Sequence, residues 1–204
     1  MIIEGLVGPS KAADGTKPPA RLGNTGEQIV QDLHARFYES TLRKTVFSGA
    51  TAGVTTSVGL ATTHTGLCLT NPIGSTVNLV LNIVGIGELV APAATMAIGL
   101  AAGFNSATAV TQTTPIAPAS TFIGGGPGVG LLASAVTLPT APTLRTIFGA
   151  VGTGAITTYG LVADVNSVDG TFIIPPGGYL CTFTSTASGA SGMAFSFKWE
   201  EVAI

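Results

Sequence analysis

Charge is what this sequence has least of. Only 9% of its 204 residues are charged, where globular domains carry ~25%. Eight basic residues are too few for the broad patch that tracks a phosphate backbone, so nucleic acid is excluded as the main ligand. Aromatics make up 6%, with one Trp and three Tyr, which leaves little for an exposed stacking platform of the kind a glycan site wants. Cysteine occurs twice, as Cys68 and Cys181, too far apart in sequence for metal-ligand spacing. The two read as buried free thiols, since free Cys behaves as a small hydrophobe, with one disulfide formally open. His34 and His64 are single and unpartnered along the chain, so neither reads as a metal ligand. No metal or cofactor is expected.

In place of charge the chain has 46% hydrophobic residues and 28 glycines, with Thr, Ser and Ala where a helical protein would carry Glu, Lys and Arg. Such residues make poor helix surfaces and tolerable strand and loop surfaces. The mean hydropathy of +0.54 raises the question of a membrane. The most apolar window, Val77 to Phe104, is interrupted by Glu88 and Pro92 and lacks aromatic or basic flanks, so it reads as core strands. MIIEGLVGPS carries an acidic fourth residue and no basic n-region, unlike a signal peptide. No membrane partner is expected.

The few charges are unevenly spread. Residues 1–44 hold six of the eight basic groups (Lys11, Lys17, Arg21, Arg36, Arg43, Lys44) and five of the ten acidic ones, whereas the hundred residues between Lys44 and Arg145 hold only Glu88. That break sets the expected organisation: a charged N-terminal arm and linker over 1–44, then a β-sandwich domain over 45–204. Up to Gly26 the segment is rich in Pro, Gly and charge with no periodic apolar face. Over 27–44, Ile29, Leu33 and Phe37 recur at helical spacing while HARFYEST alternates, so helix and strand both remain open.

From Thr45 the pattern is strand after strand. TVFSG, VTTSVGLA and TGLCLT lead to a turn at Asn71-Pro72-Ile73-Gly74. TVNLVLNIVGI then alternates, placing Val77, Leu79, Leu81 and Ile83 on one face and Asn78, Val80, Asn82 and Val84 on the other. TMAIGLAAGF is a further strand, and TFIG and GLLASAVTL are apolar pieces within a loop-rich stretch over 105–143. After LRTIFGAV and TTYGLVADV, GTFIIPPGGYLCTFTS reads as a hairpin turning at Pro175-Pro176-Gly177-Gly178. GMAFSFKWEEV sets Met193, Phe195, Phe197 and Trp199 on one face. With Tyr179 and Phe183, the aromatics Phe195, Phe197 and Trp199 are the expected core. Short strands with regular turns and no repeat of fixed period give an all-β class, an antiparallel sandwich or jelly roll with an extended N-terminal arm.

Catalysis requires titratable groups in proximity, and the chain beyond residue 44 has few. Glu88 with Asp164 or Asp169 is arithmetically available as a carboxylate pair, and no spacing links them. Asp164–Gly170 fails the calcium-loop pattern, with its second Asp one residue late and Pro175 at position twelve. Gly124–Gly128 lacks the Lys-Ser/Thr of a phosphate loop and reads as a plain loop. The chain is expected not to be an enzyme. A body so poor in charge instead suggests surface buried against identical subunits, as obligate interfaces resemble a divided core.

The order of an arm, GEQIVQDLHARFYESTLRKTVFSGAT, LCLTNPIGSTVNLVL, GTFIIPPGGYLCTFTS and a closing FKWEEV resembles the small jelly-roll virion proteins of tailed bacteriophages, which decorate or cement a capsid or form its projections. The likeness covers about half the chain. It implies a virion structural protein made in the host cytoplasm, a homotrimer seated on the capsid exterior with the major capsid protein or another virion protein as partner, and no reaction. Arg21, Arg36, Arg43 and Lys44 are then the candidate capsid contacts, paired with acidic groups of the shell. The long uncharged middle departs from the pattern and leaves a head- or tail-fibre module binding a host receptor or glycan as the alternative.

Overall fold

A computed structural model describes residues 5–6, 20–21, 35–153 and 163–204, the first two pairs and residue 163 by their backbone alone. The chain divides into two compact units, Met1–Tyr38 and Glu39–Ile204. In the first, β1 (Gly5–Leu6) and β2 (Ala20–Arg21) pair in parallel. Of the 27–44 segment, 27–34 lie outside the described residues, and its end forms one short helix, α1 (Tyr38–Leu42). That helix stops where Lys44 adopts φ 62°, the left-handed cap conformation that ends many helices. Among the described residues no helix is long and apolar enough to cross a membrane.

The second unit is built of strands: β3 (Val46–Ala50), β4 (Thr63–Thr70), β5 (Val77–Glu88), β6 (Met96–Phe104), β7 (Thr111–Ile116), β8 (Ala119–Ser120), β9 (Leu131–Thr137), β10 (Thr143–Val151), β11 (Ala163–Ile174), β12 (Gly178–Thr184) and β13 (Met193–Ala203). They form a six-stranded sheet, β10-β6-β12-β4-β9-β7, and a five-stranded sheet, β11-β5-β13-β3-β8. The pairing is nested. β6 pairs with β10, β5 with β11, β4 with β12 and β3 with β13, all antiparallel. One double ribbon is therefore wound so that successive pairs fall in alternate sheets, which is the jelly-roll winding. The stretch between β6 and β10 supplies three extra strands at the opposite margin: β8 extends one sheet beside β3, and β9 and β7 extend the other beside β4.

The core fills the space between the sheets. β13 provides Met193, Phe195, Phe197 and Trp199, all buried, against Leu67 and Leu69, Leu79 and Leu81, and Ile98 and Leu100 of β4, β5 and β6. Period-two alternation places every second side chain of β13 inward, and each large apolar residue so buried contributes about 1.5–3 kcal/mol. A second buried cluster lies on the outer face of the six-stranded sheet. There Cys68, Ala133, Val136, Tyr179 and Cys181 meet Leu138 and Val110 from the segments that enter and leave the inserted strands. The Tyr179 hydroxyl donates to the Thr140 carbonyl at 2.7 Å. This explains why β4 and β12 are buried on both faces.

Four sequence expectations change. Residues 54–61 form no strand: Val54 makes a single bridge to Met193, and Ser57, Thr56 and Ser188 hydrogen bonds replace a ladder. TFIG is a turn, and the strands of that stretch are β7 and β8 instead. Pro175–Gly178 closes no hairpin, because β11 and β12 belong to different sheets. The Gly178 N–H donates to the Pro175 carbonyl at 2.8 Å with Gly177 at φ 82°, a type II turn that carries the chain across the sandwich. Finally, the alternation of β5 reverses at Asn82. Lys198 pairs with Ile83 and Trp199 with Leu81, leaving Asn82 unpaired. This bulge turns Val84 inward in place of Ile83.

The two turn signals meet. Asn71, fully buried, donates its backbone N–H to the Gly178 carbonyl and accepts from Gly177 N–H at 3.0 and 2.9 Å. Its Nδ2 donates to the Val77 and Ile174 carbonyls at 2.7 and 2.9 Å. One side chain thus ties the β4–β5 and β11–β12 crossovers together.

Candidate functional site: an open lateral edge

A sandwich has two lateral margins, and here they differ. On one, β7 carries Thr111, Gln112, Thr113, Thr114 and Pro115. Pro115 has no N–H to offer a neighbouring strand, a common device at sheet edges. Its companion β8 is two residues long and is covered: the Thr121 N–H donates to the Val46 carbonyl at 2.9 Å, Thr41 and Thr121 hydroxyls lie 3.3 Å apart, and Lys44 Nζ sits 5.2 Å from the centre of the Phe122 ring. The following glycine-rich loop is also pinned. Val129 and Gly130 N–H groups each donate to Glu201 Oε1 at 2.8 Å. The loop that fails as a phosphate cradle therefore holds an anion of its own chain.

The other margin is formed by β10 and β11, nine and twelve residues long, each bonded on one side only among the described residues. Exposed apolar side chains line it: Ile147 is 55% exposed, Ile173 59% and Val165 73%. Arg145, Asp164 and Asp169 are its charges. Two cavities open between the sheets here. One, of about 310 Å³, lies between Phe104, Arg145, Phe172, Pro175 and Leu180. The second, of about 130 Å³, is walled by Ile86, Ile98, Phe148 and Met193, with Glu88 and Asp164 on its lining. The pair that sequence spacing does not link is brought to one cavity by the β5–β11 register, where Asp164 lies opposite Ile86. Glu88 is buried, and that burial raises its pKa.

A third polar feature closes one end of the sandwich. Buried Thr56, Thr184 and Ser188 are linked by Thr184 Oγ1 to Thr56 Oγ1 at 2.9 Å and Thr56 N to Ser188 Oγ at 3.0 Å, and buried Thr182 Oγ1 accepts from Leu67 N–H at 2.9 Å. Ser57 Oγ lies 3.4 Å from His64 Nδ1, while His64 Nε2 has no hydrogen-bond partner. Burial lowers the His64 pKa to about 4, so the imidazole is neutral at pH 7. Among the described residues no carboxylate bonds to it.

The candidate capsid contacts are placed as follows. Arg21 lies in β2 and its side chain is outside the described residues. Arg36 stacks 5.3 Å from the Phe37 ring centre. Arg43 approaches Glu39 at 3.9 Å, both exposed, and Lys44 covers Phe122. Each of the last three is thus held by its own neighbours. Of the core candidates, Phe195, Phe197 and Trp199 lie between the sheets. Tyr179 belongs instead to the outer cluster, and Phe183 shares its outward parity on β12 and is half-buried. His34 lies outside the described residues, and among those described no group of three metal-ligating side chains occurs. Sequence reasoning missed the β10–β11 edge because LRTIFGAV and TTYGLVADV, of which 157–162 lie outside the described residues, read like any core strands. Only topology makes β10 and β11 marginal.

No protein-family model, curated protein or solved structure matches the chain. The likeness to phage virion proteins rests on the quoted segments alone.

Proposed function

We propose that this chain is a non-catalytic structural subunit, a homotrimer that decorates or cements the outer face of a viral capsid with the major capsid protein as its second partner. One observation carries the assembly half: β10 and β11 are long strands that, among the described residues, pair on one side only and expose Ile147, Val165 and Ile173 on a body almost without charge. A free protein blunts such an edge with Lys, Pro, a short strand or bulges; β7 and β8 use a proline and a two-residue strand, whereas β10 and β11 stay long and carry only bulges, so their exposed apolar side chains fit burial against another subunit. The virion half is supported by the resemblance and by the jelly-roll winding, an architecture shared by capsid proteins and other folds. Arg21, Arg36, Arg43 and Lys44 remain the proposed contacts to acidic groups on the shell. The test is attachment. The full chain should bind bare capsids and co-purify with whole virions, and removal of residues 1–24 should abolish attachment while leaving the oligomer intact. Binding to host cells but not to capsids would replace this reading with a receptor-binding fibre module.

A further inference from the structure

Cys68 and Cys181 lie on the two middle strands of the six-stranded sheet and pair directly across the β4–β12 ladder. Antiparallel partners in register sit about 4.5–5.5 Å apart at Cα, inside the roughly 4.4–6.8 Å that a disulfide spans. The strands therefore need not move for a bond to form. The Cys181 S–H donates to Cys68 Sγ at 2.9 Å, and the Thr70 hydroxyl lies 3.8 Å from the same sulfur. Both thiols are fully buried. Leu138 and Val110 pack in the same cluster, and the Tyr179 hydroxyl ties that cluster to the Thr140 carbonyl. Among the described residues no group of three metal-ligating side chains includes the pair, so the two sulfurs do not make a metal site.

We infer that this pair is a modification site, at which a small peroxide forms a disulfide that clasps β4 to β12. The direction of the hydrogen bond makes Cys68 the attacking sulfur. Cys68, losing its proton, attacks one peroxide oxygen; the O–O bond breaks, and water and a sulfenic acid on Cys68 result. Cys181 then attacks the Cys68 sulfur, the S–OH bond breaks, and the hydroxyl leaves as water with the Cys181 proton. Two thiols and one hydrogen peroxide thus give one disulfide and two waters. Each sulfur gives up one electron, and each peroxide oxygen gains one. Burial holds the Cys181 thiol well above its ordinary pKa, and a closed cluster admits a peroxide more readily than a bulky disulfide such as oxidised glutathione. The clasp is latent, since a reducing compartment keeps it open and peroxide closes it. The closed loop contains β5 through β11, and long loops gain most from a cross-link. The inference rests on the fold and on neither half of the proposed function.

The reduced full-length chain, treated with hydrogen peroxide while folded and then alkylated in denaturant, reports the reaction directly. Alkylation should fall from two equivalents to none, and digestion should yield a Cys68–Cys181 linked peptide from within one chain. The melting temperature should rise by roughly 10 °C or more over the reduced chain. Cys181→Ala should show neither the link nor the rise; the measurements on the parent chain stand even where that variant fails to fold. Oxidised glutathione at the same concentration should form the link more slowly than peroxide, and an equal or greater rate would overturn the choice of oxidant. Two equivalents still taken up after peroxide, sulfinic or sulfonic acid in place of a link, links between chains only, or a link without a rise in melting temperature would each overturn the inference.

Discussion

The two lateral margins of this sandwich are built from the same composition and treated in opposite ways. At β7–β8 the chain uses a proline, a two-residue strand and a covering turn, and a carboxylate from β13 pins the adjoining loop. At β10–β11 it keeps two long strands that, among the described residues, pair on one side only, with bulges in each and exposed Ile147, Val165 and Ile173. Edge protection is local work done by particular residues, and its weaker form on one side of a molecule that practises it fully on the other is the feature that fits a partner there.

The largest effect should come from breaking this asymmetry. Val165→Lys with Ile173→Lys removes two apolar contacts from the open edge, and at about 1.5–3 kcal/mol per buried aliphatic side chain the dissociation constant measured by sedimentation should rise a hundredfold or more. Thr113→Lys on β7 should leave it unchanged. Equal effects at both margins would remove the distinction.

Acid sharpens the comparison by separating stability from association. Folding holds His64 neutral with a pKa of about 4, whereas the unfolded chain takes up the proton near 6.5. The contribution is therefore complete above pH 6.5 and is lost as pH falls toward 4, by about 3 kcal/mol at pH 4. Glu88, whose pKa burial raises, works in the opposite sense: its unfavourable ionisation is relieved by acid. Urea denaturation of His64→Gln should show a flatter pH dependence over that interval than the parent. If the slopes match, His64 is not the acid-sensitive group.

A smaller effect is expected at the closed margin. Glu201→Gln weakens charge-assisted bonds to Val129 and Gly130, costing about 1–2 kcal/mol. Hydrogen exchange of those two amides should accelerate while the β10 amides are unmoved. The least perturbing probe is chemical. Cys68 and Cys181 face each other across β4 and β12, Sγ to Sγ 2.9 Å, both fully buried, and burial holds the Cys181 thiol well above its ordinary pKa. Native protein should resist iodoacetamide and unfolded protein should take up two equivalents. Rapid alkylation of the native chain would show the outer cluster to be open.

The sequence made the strands legible where alternation was strong, above all Met193 to Trp199, and made the class legible through turns and missing charge. It hid what depends on pairing. The bulge at Asn82 reversed half of β5 because two partner strands both skip that residue. The Pro175–Gly178 turn looked like a hairpin because turn chemistry is local, whereas the sheet each flank joins is not. Tyr179 is buried as expected but in the outer cluster, and Phe183 on the same face is half-buried, because hydrophobicity does not say which face of β12 is inward. For the site, sequence supplied Glu88 as the lone charge in its stretch but had no means to set Asp164 beside it, since residues so distant in the chain meet only through the β5–β11 register. That β10 and β11 lie at the sheet margins carried no sequence signal at all.

The mass of the full-length chain in dilute solution, followed by sedimentation from high to low concentration, tests the account most directly. An oligomer of three 20.3 kDa chains, converted to monomer by Val165→Lys with Ile173→Lys, is the predicted result. A well-behaved monomer at every concentration, with the β10–β11 edge open to solvent, would contradict it.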